Sequence, residues 1–164
     1  MSSAAFDTLV ARMDAALVVV TTASADRRAG CVVGFHTQCS IAPLRYAVWL
    51  SKANDTYRTA VLATHVAVHA LDVGDHALAE LFGGQTGDEV DKFARCAWTP
   101  GPGGVPLLSQ CRHRIVLERT SLWDDNGDHV CFVGTPTHAT DGAGLEPLRL
   151  SRATDIQAGH PAPG

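Results

Sequence analysis

The sequence predicts a mainly β fold, an antiparallel barrel decorated by peripheral helices. Three observations predict it. About six runs rich in Val, Thr and other β-formers recur between clusters of turn residues. The segments with helical periodicity between them are short. A chain of 164 residues with 46% hydrophobic content has length and apolar surface for one packed core.

Phe6, Leu9, Val10 and Met13 stand at i, i+3, i+4 and i+7, the spacing of an amphipathic helix. Residues 16–22 form the first β-run, and the polar stretch 24–28 turns the chain. A second β-run spans 29–40 and a third 45–50, with Pro43 between them. A helix is expected over 56–64, with Asn54 or Asp55 suited to accept from its first free amides. Residues 65–71 return to a strand pattern, and two helical pieces follow over 75–83 and 88–95. A Pro/Gly loop covers 99–106, before long strands over 111–121 and 129–136 joined by a turn at 124–128. Leu145, Leu148 and Leu150 mark a last element. One domain over 1–153 and a loose tail over 154–164 complete the expectation.

Composition excludes several function classes. Thirteen basic against seventeen acidic residues give a net charge of -4, which argues against a nucleic-acid partner. The longest apolar run, Ala15 to Val20, falls far short of the roughly 20 residues that cross a bilayer, and no signal peptide is visible, so no membrane partner is expected. Five cysteines without a CxxC pair fit a reduced, cytoplasmic setting. No metal site is expected: His65 and His69 have HxxxH spacing, but on a strand they would stand about 13 Å apart. Asp124, Asp125 and Asp128 resemble a calcium loop, but Thr135 stands where its closing Glu belongs. No GxSxG elbow, Walker motif or GxGxxG element occurs.

Three stretches carry candidate chemistry. Ser51-Lys52-Ala53-Asn54-Asp55-Thr56-Tyr57 lies where a strand gives way to a helix, a place with free amides and partial positive charge suited to a phosphate. Lys52, one of two lysines against eleven arginines, adds a full charge; the same residues also suit an ordinary cap with a solvated lysine. Gly30 and Gly34, inside a β-branched run, mark a bulge, a barrel corner or a close approach of backbone to a flat ligand. His129 follows the turn and opens an apolar strand, where it would orient a pyridine-type substrate or simply hydrogen-bond the turn.

Taken in order, these pieces resemble the flavin reductase-like family, whose FMN-binding split β-barrel works as a homodimer. The resemblance covers about residues 6–136 and rests on residues 16–22, 30–57, 66–71, 78–83, 91–93, 104–108 and 127–129. It implies that the strand around Val33, Gly34, Phe35, His36, Thr37 and Gln38 lies along an isoalloxazine. It further implies that Ser51, Lys52, Asn54 and Thr56, in the loop with Ala53 and Tyr57, hold the FMN phosphate. Phe82, Lys92 and Phe93 would border the flavin, and His129 would sit at the nicotinamide site as the catalytic candidate. The implied activity is NAD(P)H-dependent flavin reduction, with a flavin-dependent monooxygenase as partner. Alternatives on the same barrel are a flavin- or haem-binding carrier or sensor without turnover, FAD in place of FMN, and a deazaflavin-dependent reductase. One departure is clear. The family often has Thr-Val-Ser-Ser-Phe after the glycine, where this chain has Val32-Val33-Gly34-Phe35-His36, so ring contacts from hydroxyls give way to backbone contacts.

Overall fold

The computed structural model describes residues 2–85 and 89–159. Seven antiparallel strands form one sheet: β1 (Val18–Ser24), β2 (Arg27–Val33), β3 (His36–Ser40), β4 (Arg45–Ser51), β5 (His65–Ala70), β8 (Arg114–Trp123) and β9 (His129–Thr140), in the order β2-β1-β5-β8-β9-β4-β3. Two three-residue strands, β6 (Trp98–Pro100) and β7 (Pro106–Leu108), pair separately. The helices are α1 (Ser3–Met13), α2 (Asp55–Ala60) and α3 (His76–Gly83). Among the described residues no helix is long and apolar enough to cross a membrane.

The order of the strands explains the curl. The two edge strands, β2 and β3, are neighbours in the chain, separated only by Gly34 and Phe35. The sheet must therefore bend until its edges approach. At the link the Trp49 amide donates to the Phe35 carbonyl at 2.9 Å. The continuous β-run expected over 29–40 is thus two strands that belong to opposite edges of the sheet.

Alternation along the strands divides the core into two layers. Val18 and Val20 of β1 point inward with Cys31, Val33, Val48, Leu50, Val66, Val68, Leu117 and Phe132 to fill the barrel. Leu17, Val19 and Leu71 point outward, onto Leu78, Ala79 and Phe82 of α3 and onto Phe93, Leu108 and Leu148. Each such fully buried side chain contributes about 1.5–3 kcal/mol. His69 sits wholly buried behind this outer layer. Its Nδ1–H donates to the Val19 carbonyl at 3.1 Å, and Nε2 accepts from the Leu108 amide at 3.0 Å, so one neutral ring joins β1, β5 and β7. Burial pushes its pKa down to about 4.

Several expectations need correction. The helix expected over 56–64 ends at Ala60. The helix expected over 88–95 is a single 3-10 turn, Lys92–Ala94, capped by the Asp91 carboxylate accepting from the Phe93 amide; residue 88 lies outside the described residues. The Pro/Gly loop contains the small β6–β7 hairpin. The last element expected around Leu145, Leu148 and Leu150 is reduced to isolated bridges of Pro147 with Asp72 and Arg149 with Ala16, and the 3-10 turn Leu150–Arg152. The loose tail expected from Thr154 is docked as far as Gly159: Ile156 packs on the outer layer, and the Gly159 amide donates to the Gly83 carbonyl at 3.1 Å.

Candidate functional site

Because β2 is an edge strand, one side of its backbone has no strand to pair with. Parity identifies that side. The Gly30 carbonyl accepts from Lys92 Nζ at 3.0 Å, so it points away from β1, and in a regular strand the groups of Val32 point the same way. Against this open edge lies a cleft of about 830 Å³, walled mostly by apolar side chains. Cys31 to Phe35 form one wall, Trp49, Ser51 and His129 a second, and Ala79, Phe82 and Gly83 of α3 a third. Through Asn54, Asp55 and Lys92 the cleft passes into a smaller polar basin of about 360 Å³, which Thr56 and Phe93 also line.

The loop between β4 and α2 is built by local hydrogen bonds. Ser51 Oγ accepts from the Ala53 amide at 3.3 Å, and Asn54 caps α2 by accepting from the Thr56 amide at 3.2 Å. The Asp55 carboxylate is taken by the Arg27 and Arg58 guanidinium groups. Thr56 is wholly buried, and its Oγ1 finds no oxygen or nitrogen partner among the described residues, only the weakly bonding Cys31 thiol beside it. Buried hydroxyls are rarely left so, because the lost hydration has no replacement. Beside it, burial pushes the Cys31 thiol up, opposed by the Thr56 hydroxyl and by Lys92.

Lys92 is 5% exposed and donates to the carbonyls of Gly30 and Phe82, both at 3.0 Å. Burial pushes its pKa down, offset by Cys31 and Asp55. It faces both cavities. Phe82 forms the inner wall with its ring edge-on to Phe93, the centroids 5.6 Å apart. Gly30 makes room for it, since a Cβ there would stand 2.8 Å from Phe82 Cε1. The close approach signalled by Gly30 is therefore to Phe82. Gly34 has ordinary room, with Leu17 Cδ2 3.7 Å from a built Cβ, and it lines the cleft.

At the other wall the β4–β9 register sets Ser51 opposite His129. The His129 ring lies 5.1 Å from Phe35, tilted by 54°. Its Nδ1–H donates to the Asp128 carboxylate at 2.6 Å, which holds that carboxyl below the usual range and leaves Nε2 as the ring's other polar atom.

The structure therefore brings Val33, Gly34, Phe35, Ser51, Ala53, Asn54, Phe82, Lys92 and His129 to the cleft, and Thr56 and Phe93 to the basin. Five candidates lie elsewhere. Lys52 follows the Ser51–His129 pair and turns to the β8–β9 hairpin, where Nζ donates to the Asp124 carboxylate at 2.8 Å. The His36 ring donates from Nε2 to the Ala16 carbonyl and accepts the Tyr46 hydroxyl at Nδ1, both at 2.7 Å, and so ties β3 to β4. Thr37 and Gln38 are exposed on β3 with their side chains bonded to carbonyls of their own strand, and Tyr57 packs against the barrel interior. Sequence reasoning missed Cys31, Trp49, Ala79 and Gln85, and it missed Ile156 and Ala158. Ile156, the one large apolar residue after Ala153, is the signal that could have found the last two.

The sequence model of the flavin reductase-like domain matches residues 10–153. The chain belongs to that family. Among its relatives, the ferric-chelate reductase (NAD(P)H) of Archaeoglobus fulgidus is 28% identical over 124 residues, covering 75% of this chain and 73% of that one. The FMN reductase (NADH) RutF of Ancylobacter novellus is 32% identical over 99 residues, covering 60% of this chain; the chain spans only 54% of that protein. An FMN-binding protein from Thermus thermophilus superposes with a TM-score of 0.73 at 25% identity, covering 80% of this chain and 72% of that one. The NADH:FAD oxidoreductase SgcE6 of Streptomyces globisporus shares the fold, with a TM-score of 0.79 at 21% identity over 100% of this chain and 97% of that one. The flavin reductase-like family match runs from α1 to the Leu150–Arg152 turn and stops at Ala153.

Proposed function

We propose that this chain is an NAD(P)H-dependent flavin reductase that holds FMN and passes a hydride from the nicotinamide to it. One observation carries the reading: a large apolar cleft opens on an unpaired strand edge and ends in a polar basin lined by Thr56, whose buried hydroxyl has no oxygen or nitrogen partner among the described residues. A flavin mononucleotide has the same division, an apolar ring with one polar edge and an anionic tail, so the residues present fit the group. A bound flavin supplies the two-electron chemistry.

The chain's own residues bind, orient and exclude water. The outward groups of Val32 suit the polar edge of the ring, in place of the absent side-chain hydroxyls. Thr56 Oγ1, Lys92 Nζ and the capping loop of Ser51 and Asn54 suit the anionic tail. Phe82 and Trp49 present apolar faces, while Phe35 and His129 flank the entrance that a nicotinamide would use. Asp128 holds His129 at Nδ1, which orients the ring and leaves Nε2 for an entering carboxamide. No strong acid or base is needed, because positioning supplies most of the rate.

The wider reading is a cytoplasmic homodimer that delivers reduced flavin to a flavin-dependent monooxygenase. The outward apolar residues Phe6, Leu9 and Met13 of α1 support the dimer, and five free thiols support a reducing compartment. The reading is tested by mixing purified protein with FMN and either NADH or NADPH and following nicotinamide absorbance. Steady loss is expected; no turnover with FMN, FAD or a deazaflavin would refute it.

A further inference from the structure

Residues 154–159 lie beyond the family match, yet they help to close the cleft. Ile156 and Ala158 line it, and Ile156 also packs on the outer core layer beside Val32. The segment is fastened at both ends. His76 Nε2–H donates to the Asp155 carboxylate at 2.9 Å, and the Gly159 amide donates to the Gly83 carbonyl at 3.1 Å. The end of α3 lies directly beneath it. A Cβ at Gly84 would stand 2.9 Å from the Glu80 carbonyl of its own helix, and one at Gly83 would stand 3.1 Å from Val32 Cγ2, so the helix and the cleft wall set these two glycines. The segment rests on them in ordinary contact, with Ile156 Cγ2 3.7 Å from the Cβ position of Gly83 and the Gln157 carbonyl 3.4 Å from that of Gly84.

We infer that residues 155–159 are a strap that retains the flavin, so that this protein keeps FMN as a resident group rather than exchanging it as a diffusing substrate. The inference rests on the flavin-reductase reading and goes beyond it. The open β2 edge and the basin recognise ring and tail, and the strap sets how fast the ring leaves. A wall segment fastened by one side-chain pair and one backbone bond adds little to recognition of the polar groups. It adds apolar contact and bars the way out, which acts on dissociation more than on association.

The test loosens the strap without touching a cleft-lining side chain. In the His76→Ala/Gly159→Pro double variant both fastenings are lost, since proline has no amide hydrogen to donate. FMN dissociation is followed by recovery of flavin fluorescence, and affinity by titration, with thermal unfolding measured without flavin. The expected result is an FMN dissociation rate and Kd raised about tenfold or more, with kcat at saturating FMN held within about twofold. Ile156→Ala is measured in parallel and should raise the dissociation rate severalfold by itself; it decides the question if the double variant does not fold. If the parent binds FMN and the folded variants release it at the parent's rate, the strap has no retaining role. If the parent binds neither FMN nor FAD, the flavin reading itself fails, and the strap inference fails with it.

Discussion

Replacing Thr56 by Val separates a structural hydroxyl from one that waits for a ligand. The two side chains are nearly equal in volume and both β-branched, so the helix and the packing are little changed. The Asn54 cap is untouched, because it takes the Thr56 backbone amide. In the flavin-free protein the Thr56 hydroxyl is buried with only the weakly bonding Cys31 thiol beside it, and a buried hydroxyl short of a proper partner costs about 1–3 kcal/mol. Removing it should therefore raise stability by about 1 kcal/mol. With FMN bound, the same change removes a hydrogen bond to a charged group, worth about 1.5–3 kcal/mol, or roughly a ten- to hundredfold loss of affinity. Urea unfolding without flavin and a fluorescence titration with FMN read the two effects. A variant less stable than the parent, or one that binds FMN equally well, would refute the argument.

The His69 ring has its folded pKa lowered from 6.5 to about 4, so its contribution is complete above pH 6.5 and is lost as pH falls toward 4. The loss is about 3 kcal/mol, read as the difference between the urea stability profiles of the parent and His69→Gln; parallel profiles would contradict it. Gly30→Ala should push the Phe82 ring, costing about 1–3 kcal/mol of stability and weakening FMN binding in a titration; unchanged unfolding would mean the wall yields freely. Lys92→Met strands the Gly30 and Phe82 carbonyls and should cost about 2 kcal/mol of stability together with FMN affinity. Lys52→Ala breaks only an exposed pair with Asp124 and should leave FMN affinity within about twofold; the reverse ranking in titrations would move the tail to the β8–β9 hairpin side.

The barrel was legible because its strands carry their own punctuation: β-branched runs between Gly, Pro and Asp clusters. What the pattern does not encode is which strand becomes an edge. The run 29–40 reads as one strand, yet Gly34 and Phe35 divide it between opposite edges of the sheet, a property of long-range pairing alone. The same limit explains the site. Asn54 and Thr56 were legible from local capping chemistry, and His129 from its place after a turn. Lys52 was not, because the direction of its side chain depends on the Ser51–His129 register and on Asp124, which lies far along the chain. His36 looks like a ring-facing residue in sequence, but the nearby Tyr46 hydroxyl and the Ala16 carbonyl satisfy both of its nitrogens. Residues 154–159 looked like a tail because one isoleucine among polar and small residues makes no periodic signal.

The most direct measurement is an anaerobic titration of the FMN-loaded protein with NADH or NADPH, watching the visible flavin band. Bleaching of the bound flavin at one nicotinamide per flavin is the predicted result. A flavin that stays bound and keeps its oxidised spectrum in excess of both nicotinamides would contradict the account.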